Sequence, residues 1–250
     1  AGAGTGILSV SLLEYLFQQK PEIKIHLTCY ETDTNILSLL KSNLESAKQL
    51  FLTRFEYKIV TDNYLLSQQD SFDNNLFSDT KAVGYDLIIG NPPYVREYTN
   101  REPFEYMKLC KAKKYYQGKM DLWYAFACKS IDLLKLGGYH SFIATSTWTT
   151  AFGASILRNK IINETKILKY IDFVDFKVFK NASIQTMIYV VKKEKPDKEY
   201  KVKYTKILNK NIMVDDLIYI LNKDIDNENY INDNNYEMFI ATINPSELRG

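Results

Sequence analysis

The junction at residues 85–94 constrains this chain more than any other feature. The run Tyr-Asp-Leu-Ile-Ile at 85–89 reads as a buried strand, and it stops at Gly90-Asn91-Pro92-Pro93-Tyr94. Two prolines in a row fix φ and remove two backbone donors, so a ladder cannot continue through them. The strand must end in a rigid turn whose carbonyls are free.

The flanking pattern says what kind of sheet that strand belongs to. Residues 7–19 carry apolar side chains at 7, 8, 12, 13, 16 and 17, a helical period. Residues 24–30 alternate as a strand that ends at Glu31, 35–50 read as a helix, and 57–60 as a short strand ending at Asp62. Residues 95–119 are polar, basic and aromatic without a clean period, which predicts a loop or short helices. A long helix is expected over 121–136, stopped by Gly137-Gly138, then a strand at 139–144, a helix at 154–163 and a strand at 167–173. Residues 183–192 alternate as the last strand. Strands alternating with helices imply an α/β fold with a doubly wound, mainly parallel sheet that binds ligands at the carboxyl ends of its strands. After Pro196 the pattern decays to one strand (201–207), one helix (214–222) and an asparagine-rich acidic tract. The expected division is a catalytic domain at 1–195 and, at 196–250, a linker with the start of a target-recognition region.

Composition removes several classes. With 46% hydrophobic residues in a chain of 250, a sizeable core is available and wholesale disorder is excluded. No apolar run approaches membrane-spanning length, so a soluble cytoplasmic protein without a membrane partner is expected. Cys29, Cys110 and Cys128 share no short spacing and only His26 and His140 accompany them, which argues for reduced thiols over a metal site. A net charge of +2 says little, but lysines 108, 111, 113, 114 and 119 fall in a stretch without one acid. Such a run is most often a solvated face, so it supports nucleic-acid binding only alongside other signals.

The residues that carry chemistry recur at successive strand ends. Gly2, Gly4 and Gly6 sit where a strand would turn into a helix, letting backbone approach a ligand and exposing helix N–H groups to an anionic group. Glu31 ends the next strand, where a carboxylate can accept from both hydroxyls of a ribose; alone it would pass for a solvated acid. Asp62 can accept from an adenine amino group, or simply cap the turn in Thr61-Asp62-Asn63. Asn91 offers a side-chain carbonyl and Pro92 a backbone carbonyl. Two acceptors converging on a planar –NH2 would hold both its hydrogens and make the nitrogen more nucleophilic. Tyr94 can stack on the ring that bears the amine.

Together, AGAGTG, YETD, TDNYLL and YDLIIGNPPYVR resemble the amino-methyltransferases of the DNA adenine class. The order, glycine loop before NPPY, resembles their gamma group, found in type II restriction–modification systems. The likeness extends through KMDLWYAFACKSIDLLKLGGYHSFIATSTW and YIDFVDFKVFKNASIQTMIYVV and covers about residues 1–193. It implies a class I, Rossmann-like methyltransferase fold with S-adenosylmethionine as cofactor and double-stranded DNA with a flipped adenine as substrate. Gly2, Gly4 and Gly6 would lie against the cofactor, Glu31 would hold its ribose, and Thr32 and Asp62 would meet its adenine, with Phe126 nearby and Asn91 also among the cofactor-binding residues. Asn91, Pro92 and Tyr94 would be the catalytic residues, with Tyr94 and Phe179 packing on the target base. Phe126 and Phe179 serve equally well as core aromatics. A restriction endonuclease module is a further implied partner.

The chain opens inside the glycine loop and closes mid-segment, so it is expected to be a fragment whose missing flanks contribute to cofactor and DNA binding. The family's first strand, an acid near the methionine amine and an upstream cofactor motif are not in it. RNA adenine and protein-glutamine methyltransferases use the same NPPY turn and are the nearest alternatives. A non-catalytic DNA-recognition subunit is the alternative from another class.

Overall fold

In the computed structural model, which describes residues 1–67, 84–179, 184–223, 225 and 230–245, strands and helices alternate through most of the chain. Helix α1 (Ile7–Gln19) buries Leu13 and Phe17, and α2 (Leu37–Phe51) buries Leu40, Leu44 and Ala47, the one-sided spacing of amphipathic helices. Both pack on β1 (Ile25–Tyr30) and β2 (Phe55–Val60), which pair in parallel.

The remaining described strands form one seven-stranded sheet in the order β3-β4-β6-β5-β7-β9-β8. They are β3 (Tyr85–Gly90), β4 (Leu134–Thr145), β5 (Lys166–Asp172), β6 (Thr186–Lys192), β7 (Tyr200–Ile207), β8 (Ile231–Asn232) and β9 (Tyr236–Ile243). β3 runs parallel to β4 and β5 parallel to β7; antiparallel pairing enters where β6 lies between β4 and β5, and again at β9 and β8. Residues 1–3 join the two sheets, with the Ala3 N–H donating to the Tyr30 carbonyl at 2.9 Å and the Ala1 backbone nitrogen to the Ile89 carbonyl at 3.4 Å. The glycine loop is thereby pinned between the ends of β1 and β3.

Helix α4 (Leu122–Leu133) is apolar nearly all round and buried nearly all round, the pattern of a helix inside a core. With α5 (Ser155–Glu164) it covers Phe142 and Tyr189 on one face of the sheet. Helix α6 (Val214–Asn222) covers Ile171, Ile207 and Met238 on the other. α4 ends at Leu133, earlier than its sequence pattern suggests, and β4 runs straight through Gly137-Gly138. The reason is tertiary: the Lys193 ammonium takes the Asp132 and Leu134 carbonyls at 3.0 and 2.9 Å, while Leu134 turns extended to pair with Tyr85. Strand β6, expected over 183–192, begins at Thr186, and residue 183 lies outside the described residues. Strands β8 and β9, within and after the asparagine-rich tract, were not anticipated, whereas β7 and α6 lie where the pattern puts them. Among the described residues no helix is long and apolar enough to cross a membrane. Cys29 and Cys128 are buried and Cys110 is half-buried, all as free thiols.

Candidate active site

The glycine loop and the ends of β1, β2 and β3 surround a cavity of about 600 Å³, within the usual range of small-molecule sites. Gly2, Gly4, Glu31, Thr32, Asp62, Asn91 and Phe126 all line it, although the first and last of them are 124 positions apart in the sequence. Gly6, Pro92, Tyr94 and Phe179 are not part of the lining. Gly6 caps α1, Pro92 is buried behind Asn91, Tyr94 reaches the site through Asn91, and Phe179 sits half-buried beyond β5.

The loop needs its glycines. Gly2, Gly4 and Gly6 have φ of +67°, +58° and +85°, in the left-handed region, and a Cβ at Gly2 would stand 3.2 Å from the Asn91 carbonyl oxygen. That close approach brings the loop against the Asn-Pro-Pro-Tyr turn. No side chain caps α1, so its first N–H groups are left for a ligand or water.

Glu31 does more than face the cavity. Its Oε2 accepts from the Gly4 N–H at 2.8 Å, and its Oε1 accepts from the N–H groups of Thr32 (2.8 Å) and Asp33 (2.9 Å). A carboxylate offers about four acceptor positions, so three are engaged and roughly one, on Oε2, remains. Asp62 is exposed and has no hydrogen-bond partner among the described residues. The turn after β2 is capped instead by Asn63, whose Oδ1 accepts from Leu65 N–H at 3.0 Å. The capping explanation for Asp62 therefore falls to its neighbour.

Asn91 and Tyr94 form one unit. The Tyr94 hydroxyl lies 2.5 Å from Asn91 Oδ1 and 2.8 Å from the Ile143 carbonyl on β4. Burial, with the Asp121 carboxylate nearby, pushes the Tyr94 phenol well above its ordinary range, so it stays a donor. The exposed amide of Asn91 is thus oriented by a half-buried ring that is itself fixed to the next strand. No histidine lines the cavity: His140 is fully buried on β4, and burial pushes it down to about 3.

Asp121, at the head of α4, accepts weakly from the Trp123 N–H at 3.5 Å and is 5% exposed. Burial pushes its carboxyl up to about 6, partly offset by hydrogen bonds from the N–H groups of Trp123, Val95 and Leu122 and by Arg96. A carboxyl whose folded pKa lies above its unfolded one stabilises the fold less once both states are ionised. Stability from this group is therefore lost as pH rises from about 4 to about 6 and regained as it falls. Asn keeps a capping side chain without titrating. Urea unfolding of wild type and Asp121→Asn should accordingly show wild type gaining on the variant as pH drops through that window; a gap that is constant, or that moves the other way, contradicts the raised pKa.

The sequence missed part of the wall. Tyr64, Leu65 and Leu66 follow Asp62 into the cavity, and Pro103, Tyr106 and Met107 enter from α3 (Glu102–Lys108), a helix inside the segment read as loop or short helices. The lysines there are not all free: Lys108 pairs with Glu97 and Glu105, and Lys114 with Asp132, while Lys111, Lys113 and Lys119 have no ion pair among the described residues. Seven residues of α3 are too few for periodicity to show in the sequence.

A fold of this kind, with its cavity at the strand ends, matches that of a Listeria monocytogenes protein described as a class I S-adenosylmethionine-dependent methyltransferase: TM-score 0.59, 17% identity, 88% of this chain and 60% of that one. The fold is that of the class I methyltransferases. Residues 9–179 match the family described as Eco57I restriction-modification methylase, and the chain belongs to that family. It is 31% identical over 168 residues to the type II restriction enzyme and methyltransferase RM.Eco57I of Escherichia coli, covering 66% of this chain and 16% of that protein. To the type II methyltransferase M.HincII of Haemophilus influenzae it is 33% identical over 150 residues, 58% of this chain and 29% of that protein. The chain thus spans less than a third of the length of these relatives. S-adenosylmethionine is the cofactor expected of this fold and family, and the cavity suits it. The loop has backbone N–H groups that would suit a charged end, Glu31 and Asp62 are acceptors that would suit ribose and adenine, and Tyr64 and Phe126, with ring centroids 5.2 Å apart, give apolar surface.

Proposed function

We propose that this chain is the catalytic part of a restriction–modification DNA methyltransferase that transfers a methyl group to the exocyclic N6 amino group of adenine. The observation that carries the reading is the meeting, in one cavity, of the loop and carboxylates suited to the cofactor with Asn91 of the Asn-Pro-Pro-Tyr turn. S-adenosylmethionine, when bound, supplies a methyl group made electrophilic by its sulfonium.

The chain's own residues then have to place an amine. Asn91 Oδ1 and the Pro92 carbonyl would accept its two hydrogens, leaving the nitrogen lone pair directed at the methyl carbon. Tyr94 holds the Asn91 amide, and its ring would support the extruded base together with Phe179. Positioning supplies most of the acceleration in this arrangement, since no strong base lines the cavity. The amine proton leaves only after the new carbon–nitrogen bond has made it acidic. DNA is the substrate that the family membership favours, with Lys111, Lys113 and Lys119 available for phosphates, in the cytoplasm where such DNA resides. The relative RM.Eco57I is described as both restriction enzyme and methyltransferase, which makes an endonuclease module a reasonable partner.

Mass analysis of nucleosides, after the full-length protein is incubated with DNA and methyl-labelled cofactor, tests this directly. Label in N6-methyladenosine is the expected result. Label in cytosine overturns the adenine assignment. Label only in added RNA or in protein moves the same site to another substrate.

A further inference from the structure

The insertion between the Asn-Pro-Pro-Tyr turn and α4 has its two ends locked together. The Leu122 N–H donates to the Val95 carbonyl at 2.8 Å, the Glu97 N–H donates to the Met120 carbonyl at 3.0 Å, and Arg96 forms a β-bridge with Asp121. The Glu97 carboxylate gathers the far end, accepting from the Tyr116 hydroxyl at 2.6 Å and from the Lys119 N–H at 2.7 Å. Phe104 and Met107, both wholly buried, sink α3 into the main core. The segment is therefore a fixed part of the fold and not a loose basic arm.

Its cavity-lining residues, Pro103, Tyr106 and Met107, are three and four apart, so they share one side of α3. Tyr106 remains 56% exposed there. Ile7, Leu8 and Leu66 line the same cavity and are 70%, 47% and 40% exposed. Large apolar side chains gathered around one opening are a feature that folded proteins generally keep for a ligand.

We propose that Tyr106 is a cofactor-binding residue whose ring closes on the nucleoside part of S-adenosylmethionine, so that the insertion, and not only the glycine-loop side, holds the cofactor. The inference rests on the cofactor assignment above. It also gives the segment after the catalytic turn a task distinct from contacting DNA. A planar ring is suited to it, because stacking on a purine needs no directed hydrogen bond and leaves the polar groups to Asp62 and Glu31.

Calorimetric titration of S-adenosylmethionine into the full-length protein tests it with three variants of this segment and Glu31→Ala as a reference. Tyr106→Ala should bind about tenfold more weakly, the order that loss of one base–aromatic contact produces. Tyr106→Phe, which keeps the ring, should bind as wild type does. Leu109→Ala, immediately after α3 and outside the cavity lining, should also leave affinity unchanged. Melting of the ligand-free protein should be the same for all, because both side chains are largely exposed. Wild-type affinity in Tyr106→Ala overturns the inference, as does an equal loss in Leu109→Ala. A loss in Glu31→Ala with none in Tyr106→Ala overturns the inference alone, whereas a wild type that takes up no S-adenosylmethionine overturns the cofactor assignment and the inference together.

Discussion

Replacing Asn91 by Ala should lower the single-turnover rate of methyl transfer by about 10²–10³-fold, the usual cost of removing one preorganised polar partner from a transition state. The amide stands exposed at the cavity, with its side-chain oxygen held by the Tyr94 hydroxyl at 2.5 Å, so it is already oriented before substrate arrives. Its acceptor matters most as the amine nitrogen becomes tetrahedral and positive, when the hydrogens it holds are most acidic. The loss should therefore appear in the rate at saturating DNA and cofactor, not in cofactor affinity. Asn91→Asp keeps an acceptor and a partner for Tyr94, and should retain more activity than Ala. Tyr94→Phe keeps the ring and removes only the hydroxyl that orients the amide, so its effect should be smaller still. Rapid-quench kinetics on the three variants would establish the order. An unchanged rate in Asn91→Ala would mean the turn only shapes the cavity.

What the sequence made legible was everything local. Gly2, Gly4 and Gly6 announce a loop that must take left-handed φ, Pro92-Pro93 announce a strand end, and Glu31 and Asp62 fall within two residues of the ends of two short strand-like runs. Glu31 and Asp62 meet because β1 and β2 lie side by side in parallel and present the same end to the same side, and residues 1–3, bonded to Tyr30 and Ile89, hold the end of β3 against them. What stayed hidden depended on partners far along the chain. Gly137-Gly138 reads as the stop of a helix, yet the helix ends earlier because Lys193, some sixty residues on, takes the carbonyls of Asp132 and Leu134 at its end. The residues of α3 read as a basic surface, yet Phe104 and Met107 bury that helix and turn Tyr106 towards the cavity. Asp62 and Asn63 were interchangeable as turn caps by residue type, and only the hydrogen bond from Leu65 to Asn63 separates their tasks. Strand β9 follows an asparagine-rich tract that reads as coil. It pairs residue by residue with β7 from Tyr236 to Ile243, so the sheet supplies an order that composition conceals.

Glu31→Ala should weaken S-adenosylmethionine binding at least tenfold, because its carboxylate holds the loop and, in the proposed reading, would hold the ligand as well. Hydrogen bonds to a charged group contribute about 1.5–3 kcal/mol each, and 1.4 kcal/mol is already a factor of ten. Three backbone N–H groups, those of Gly4, Thr32 and Asp33, lose their acceptor in the variant. Thr32 and Asp33 are exposed and can turn to water, so the cost to stability should be small. The Gly4 N–H is different, since its bond spans 27 residues and fixes the loop against the end of β1. The loss of affinity thus has two possible sources, a loosened loop and a missing acceptor for the ribose, and a double-mutant cycle separates them. S-adenosylmethionine and its 2′-deoxy and 3′-deoxy analogues would be titrated into wild type and Glu31→Ala. With about one acceptor position left on the carboxylate, removal of one of the two hydroxyls should weaken binding to wild type by several-fold and leave the variant almost indifferent. If both analogues lose the same affinity in wild type and variant, the ribose does not meet Glu31, and the carboxylate acts only by holding the glycine loop. If Glu31→Ala binds the natural cofactor as wild type does, the carboxylate has no part in the site despite lining it.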